Sequence, residues 1–277
     1  MTIITIDITS DPVCPWCYMG KIRLDRAVAL YQKVYPGGRH DTFRIVWHAF
    51  YLEPSAPVGV PGVPWAERHA QKLIQRGGGD SDPAELEAKG RHLREQLAAK
   101  GRQHGIAFSF EGKFGSTRDA HRLIALAGRK EEESSKESKG GDKKAGLQDR
   151  VVMQLFRDFF EGDADITSRA MLAGLAEETG LGQREAILAW LESGEGGHEV
   201  DEEARWAREE GQMKGVPRFV LQGTHVIDGA EDEQAFLEAI VKAKEGGETQ
   251  GAEQDPTSSG KGDGPGTAST CTGSSCS

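Results

Sequence analysis

The chain has 277 residues, of which 37% are hydrophobic and 28% charged, and a formal net charge of −10. An acidic balance excludes a general phosphate-backbone binder, whose affinity rests on Lys and Arg neutralising phosphates. No run approaches the ~20 apolar residues that a membrane-spanning helix needs, so neither nucleic acid nor a membrane is an expected partner.

The elements follow in chain order. Ile3 to Ile8 alternates apolar and polar residues like a strand, with no cationic n-region and no small-residue cleavage site; a cytoplasmic location is expected. Ser10-Asp11-Pro12 is turn chemistry. A helix is predicted from Pro15, suited to the first helical position, to Tyr35. Its apolar residues Ile22, Leu24, Ala27, Val28, Leu30, Tyr31 and Val34 keep helical spacing. Phe43 to Leu52 reads as a second strand, and the proline-bearing stretch from Glu53 to Pro64 as a loop. The signal is then helical to Gly211, with candidate helices over 64–75, 83–103, 117–129, 147–160, 168–178, 183–192 and 197–210. Lys130 to Lys144 has no apolar residue and dense mixed charge, which predicts a disordered loop. Strand character returns at Val216 to Leu221 and, after Gln222-Gly223-Thr224, at Val226-Ile227, a hairpin. A last amphipathic helix runs from Asp232 or Glu233 to Lys244, and a Gly- and Ser-rich flexible tail follows Gly246. A strand–helix–strand half and a strand–strand–helix half, split by a helical block, give an α/β fold with one sheet and helices on both sides. The corresponding units are 1–62, 63–196 with the loop at about 130–145, 197–245, and the tail 246–277.

Only four cysteines occur: Cys14, Cys17, Cys271 and Cys276. In a reducing compartment such pairs serve redox or metal chemistry rather than structural stapling. Cys14 and Cys17 lie three positions apart at a helix start. The first sulfur would face the unpaired N–H groups and positive dipole end of the first turn, which favour the nucleophilic thiolate. Cys17, one turn in, could resolve the mixed disulfide. Half of a zinc site is the competing reading, but a structural zinc site needs four ligands, and no His pair has ligand spacing; no metal is expected. Between the cysteines, Pro15 stiffens the turn and Trp16 is neutral. Val216-Pro217 opens the later strand, as a cis bond presenting backbone to an extended substrate or as an ordinary trans proline on an edge.

Ser10-Asp11-Pro12-Val13-Cys14-Pro15-Trp16-Cys17-Tyr18-Met19-Gly20-Lys21 resembles the opening of the DsbA-like oxidoreductases, in their FrnE-type branch. Phe50-Tyr51-Leu52-Glu53-Pro54, Ser116 to Leu123, Gly215 to Val220 and Val226 to Ala230 follow in the family's order. The similarity spans about Ile3 to Lys244. It implies a thioredoxin fold with a large inserted α-helical domain, and dithiol–disulfide exchange through Cys14 and Cys17 with protein or small-molecule disulfides. Pro15, Trp16, Val216, Pro217 and, on the shared Ala-His-Arg stretch, His121 would contact the substrate. Related 2-hydroxychromene-2-carboxylate isomerases and kappa-class glutathione transferases supply the alternative, a glutathione-dependent isomerase or transferase. Apart from glutathione as a co-substrate, no cofactor is implied. Cys271 and Cys276 lie outside the resemblance and form a C-x4-C pair, expected to act as an auxiliary dithiol, to bind a soft metal, or to be incidental. Substrate identity and oligomeric state are not legible.

Overall fold

A computed structural model describes residues 1–65, 67–68, 82–137 and 146–252. The chain starts with strand β1 (Ile3–Ser10), then helix α1 (Pro15–Val34), a short 3-10 turn (Gly38–His40) and strand β2 (Thr42–Ala49). β1 and β2 pair in parallel from Ile3↔Thr42 to Ser10↔Ala49. The chain leaves through a two-residue strand β3 (Val63–Pro64), helix α2 (Pro83–Gln103) and a two-residue strand β4 (Lys113–Phe114), then helices α3 (Arg118–Glu137), α4 (Leu147–Phe160), α5 (Arg169–Glu178), α6 (Arg184–Ser193) and α7 (Gly197–Glu209). It returns as β5 (Arg218–Leu221), β6 (His225–Asp228) and α8 (Glu233–Ala252). The main sheet has the order β2-β1-β5-β6, with β5 antiparallel to β1 and β6 antiparallel to β5.

Local chemistry explains these boundaries. β1 buries every second residue, Ile4, Ile6, Ile8 and Ser10, as the period of two in a strand requires. Asp82 caps α2 by accepting from the Ala84 N–H, and Ser168 caps α5 by accepting from the Met171 N–H. One buried apolar cluster joins β1 and α1 to Phe156, Phe159 and Phe160 of α4 and to Phe219 and Phe236 of the C-terminal half. The inserted helices therefore share the core of the sheet. At Gly20, α1 runs close to the C-terminal half: a Cβ there would lie 3.0 Å from Phe219 Cζ and 3.4 Å from Ala230 Cβ.

Four expectations need correction. The predicted loop at about 130–145 is helical as far as Glu137, the end of α3, and residues 138–145 lie outside the described ones. Glu and Lys are good helix formers, and polar anchors replace the missing apolar ones. Lys130 Nζ donates to the Leu181 carbonyl at 2.9 Å, Glu131 accepts from the Gly146 and Gln148 N–H groups, and Glu132 pairs with Arg44. Pro64, expected to start a helix, ends β3, which pairs with β4; of that candidate helix, residues 66 and 69–75 lie outside the described ones. The second strand stops at Ala49 rather than Leu52. Finally, α8 does not stop at Lys244 but runs through Gly246 to Ala252, a glycine costing only about 1 kcal/mol in a helix.

Candidate active site

The dithiol sits where β1 hands over to α1. The turn between them is pinned from both sides: the Cys14 N–H donates to the Asp11 carbonyl at 2.9 Å, while the Asp11 carboxylate accepts from Val13 N–H at 3.4 Å and Leu52 N–H at 2.8 Å. Cys14 is the N-cap of α1, with extended φ −96° and ψ 111°, and Pro15 follows inside the first turn. The Cys14 carbonyl accepts from the Cys17 and Tyr18 N–H groups at 3.1 and 3.3 Å. The cysteine therefore stands at the positive end of a 20-residue helix.

The second part of the site arrives through sheet register. β5 pairs with β1 up to Thr9↔Arg218, so continuing the register brings Pro217 level with Ser10 and Val216 level with Asp11. The Val216–Pro217 peptide is cis, as the first of the two sequence readings has it. The Cys14 thiol donates to the Val216 carbonyl, with the sulfur 3.6 Å from the oxygen. Cys14, Pro15, Trp16, Cys17, Val216 and Pro217 are thus brought together, although about 200 residues separate the two segments.

Both sulfurs are free thiols and both are buried, Cys14 at 3% exposure and Cys17 at 1%. Burial pushes the Cys17 thiol well above its ordinary value, and the neighbouring Cys14 adds to this; the Ser10 hydroxyl and the Asp11 backbone oppose it. Trp16, by contrast, is 39% exposed, and the Lys100 ammonium of α2 sits 5.0 Å from its ring centroid, a cation–π distance.

His121 has two readings in the sequence, a residue lining the groove near the dithiol or a satisfied structural histidine, and its burial agrees with the second. Its Nε2 lies 3.2 Å from the Phe50 carbonyl and 3.8 Å from Asp11 Oδ1. Burial holds its pKa down to about 4, so it stays neutral and braces the strand ends behind the dithiol. Sequence reasoning treated Ser10 and Asp11 only as turn residues. Their signal was there: Ser10 takes the next position on the buried face of Ile4, Ile6 and Ile8, and an Asp just after a strand is an Asx-turn candidate. Lys100 carried no signal, because nothing in an amphipathic helix says which distant loop it will meet. Among the described residues no group of three His, Cys, Asp or Glu side chains could hold a metal ion. Cys271 and Cys276 lie outside the described residues.

A strand–helix–strand unit with a dithiol at the helix start, completed by a hairpin that carries a cis-proline to it, defines a thioredoxin-fold protein. Residues 5–241 match the DSBA-like thioredoxin domain, and the chain belongs to that family. Among solved structures it is similar to a probable DsbA oxidoreductase from Streptomyces coelicolor, at 24% identity over 92% of this chain and 93% of that one, with a TM-score of 0.65. It is also similar to a proposed protein disulfide isomerase from Nitrosomonas europaea, at 14% identity over 88% and 98% of the two chains (TM-score 0.56). A 2-hydroxychromene-2-carboxylate isomerase shares 16% identity over 91% and 99% (TM-score 0.52). No curated protein matches the chain.

Proposed function

We propose that this protein is a thiol–disulfide oxidoreductase working through Cys14 and Cys17 on protein or small-molecule disulfides. The observation that carries the reading is the Cys14 sulfur at the N-cap of α1, 3.6 Å from the Val216 carbonyl. In the reducing direction the Cys14 thiolate attacks one sulfur of a substrate disulfide. An S–S bond forms to Cys14 and the other substrate sulfur leaves as a thiolate that takes up a proton. Cys17 then displaces the bound substrate thiol and closes the Cys14–Cys17 disulfide. The net result is a two-electron oxidation of the protein dithiol and reduction of the substrate disulfide. A second disulfide exchange, with glutathione or a protein dithiol as reductant, restores the starting state. The exposed Trp16 and Pro15 beside it form one lip of the approach to Cys14, and the Val216 backbone the other. In a reducing compartment the direction is reduction or isomerisation; it is set by the potential of the pair against the local poise.

Replacing Cys17 with Ser tests the reading, because the mixed disulfide can then form but not resolve. Covalent partners should accumulate on Cys14 and be released by a small thiol, and insulin reduction should be lost. Full activity of the Cys17→Ser protein would instead point to single-nucleophile chemistry of the glutathione-dependent isomerase or transferase kind.

A further inference from the structure

The dithiol cycle requires a buried thiol to ionise, and the structure provides one buried donor with nothing else to do. Cys17 is 1% exposed and packed among the apolar residues of β1 and α1. To attack the mixed disulfide it must become a thiolate, and a buried anion without a donor is costly. Ser10 occupies the last position on the buried face of β1, where the alternation Ile4, Ile6, Ile8 calls for another apolar side chain. It is 4% exposed, and its hydroxyl lies against the Cys17 sulfur but makes no hydrogen bond of normal geometry in the reduced protein, the one buried side-chain polar atom among the described residues of which this is true. The backbone around it is fixed, since its carbonyl accepts from the Phe50 N–H at 3.1 Å and its register partner is Ala49. Only the hydroxyl is left to turn. An orphaned polar atom in an otherwise satisfied core calls for a reason.

We propose that Ser10 is the hydrogen-bond donor to Cys17 in the resolving step, which rests on the dithiol reading above. While Cys17 is a thiol, the Ser10 hydroxyl has no required acceptor. When Cys17 loses its proton, the sulfur becomes an acceptor next to a rotating O–H. The Cys17 sulfur then forms a bond to the Cys14 sulfur as the bond from Cys14 to the substrate sulfur breaks, and the proton from Cys17 ends on the departing substrate thiol. The groups set against Cys17 agree with this assignment. Burial and Cys14 disfavour its thiolate, and the Ser10 side chain and Asp11 backbone favour it. The Asp11 carboxylate is engaged with the Val13 and Leu52 N–H groups, and His121, behind it, donates to the Phe50 carbonyl.

Rapid mixing of the reduced protein with dithiobis(nitrobenzoate) separates the two steps. A Cys271→Ser/Cys276→Ser background silences the tail thiols. One coloured thiolate is released when Cys14 attacks and a second when Cys17 resolves. Ser10→Ala should leave the first phase unchanged and slow the second by roughly ten- to a hundredfold at neutral pH, the range expected for one hydrogen bond to a charged group. It should also move the pH midpoint of that phase upward. Ser10→Thr, which keeps the hydroxyl on a strand residue, should restore it. Thermal stability supplies an independent check: removing an unsatisfied hydroxyl should leave the melting temperature of Ser10→Ala equal to or above the wild type. A second phase unchanged in rate and pH profile overturns the proposal, as does equal slowing of both phases with a lowered melting temperature. Absence of the second phase in the wild type, or its survival in Cys17→Ser, overturns the dithiol reading itself.

Discussion

Replacing His48 with Gln is expected to remove a pH-dependent clamp between the sheet and helix α7. His48 of β2 places Nε2 3.0 Å from Asp7 of β1 and Nδ1 2.7 Å from Glu203 of α7. Burial alone would lower its pKa, but the two carboxylates outweigh burial and raise it from 6.5 to about 9. The folded protein thus holds this proton more tightly than the unfolded chain does. The stabilisation is complete below the unfolded value of 6.5 and is lost as the pH rises through about 9. At about 1.36 kcal/mol per pH unit the displacement would be worth about 3 kcal/mol if fully shielded. The imidazole is 35% exposed, and solvent screening reduces this to roughly 1–2 kcal/mol. Urea unfolding of wild type and His48→Gln at about pH 6, 8 and 10 reads the difference, which should be largest at pH 6 and shrink toward zero at pH 10. Groups that titrate in both proteins cancel. A difference that is constant across this range, or that grows with pH, refutes the reasoning.

Gly20→Val should destabilise the fold by about 1–3 kcal/mol through overpacking, because its side chain would be driven against Phe219 and Ala230; a melting temperature equal to wild type would contradict this close approach. Arg122 is fully buried, donating to the carbonyls of Trp190, Leu191 and Glu195 and pairing with Asp119. Arg122→Ala strands these acceptors and should cost about 3–5 kcal/mol, measured by denaturant unfolding. Truncation after Ala252 removes Cys271 and Cys276 and keeps α8 whole. If the tail dithiol relays electrons to Cys14 and Cys17, turnover with protein disulfides slows; unchanged kinetics rules the relay out.

The sequence carried the site's chemistry further than its surroundings. Cys14 and Cys17 are legible because a strand, a turn and a Pro at the first helical position are all local signals. Val216-Pro217 is legible because a proline opening a strand demands an explanation. Other features depended on partners distant in sequence. β3 and β4 have two residues each, too few to show any period. Residues 130–137 lack apolar side chains, so hydropathy reads them as loop, yet the anchors at Arg44, Gly146, Gln148 and Leu181 hold them as helix. His121 looks the same in sequence whether it lines a groove or braces a loop. Its neighbours Asp11 and Phe50, 110 and 71 positions away, decide between the two.

The burial of both sulfurs places selectivity outside the dithiol. If the proposed function holds, a substrate reaches Cys14, itself 3% exposed, past the adjoining Trp16, which is 39% exposed. Lys100 stands over that ring, so the inserted helix α2 supplies a positive charge at the entrance of a protein whose net charge is −10. An approaching disulfide flanked by carboxylates should be favoured there over one flanked by ammonium groups. Lys100→Glu reverses the charge and should shift the ratio of kcat/KM for Asp-flanked over Lys-flanked peptide disulfides severalfold toward the basic substrate, the scale of exposed charge pairs. The shift should shrink at high salt, where the Debye length falls to about 3 Å at 1 M. Lys100→Met, which keeps the packing on Trp16 without the charge, should give an intermediate ratio. An unchanged ratio in Lys100→Glu would mean that α2 only covers Trp16 and takes no part in choosing the substrate.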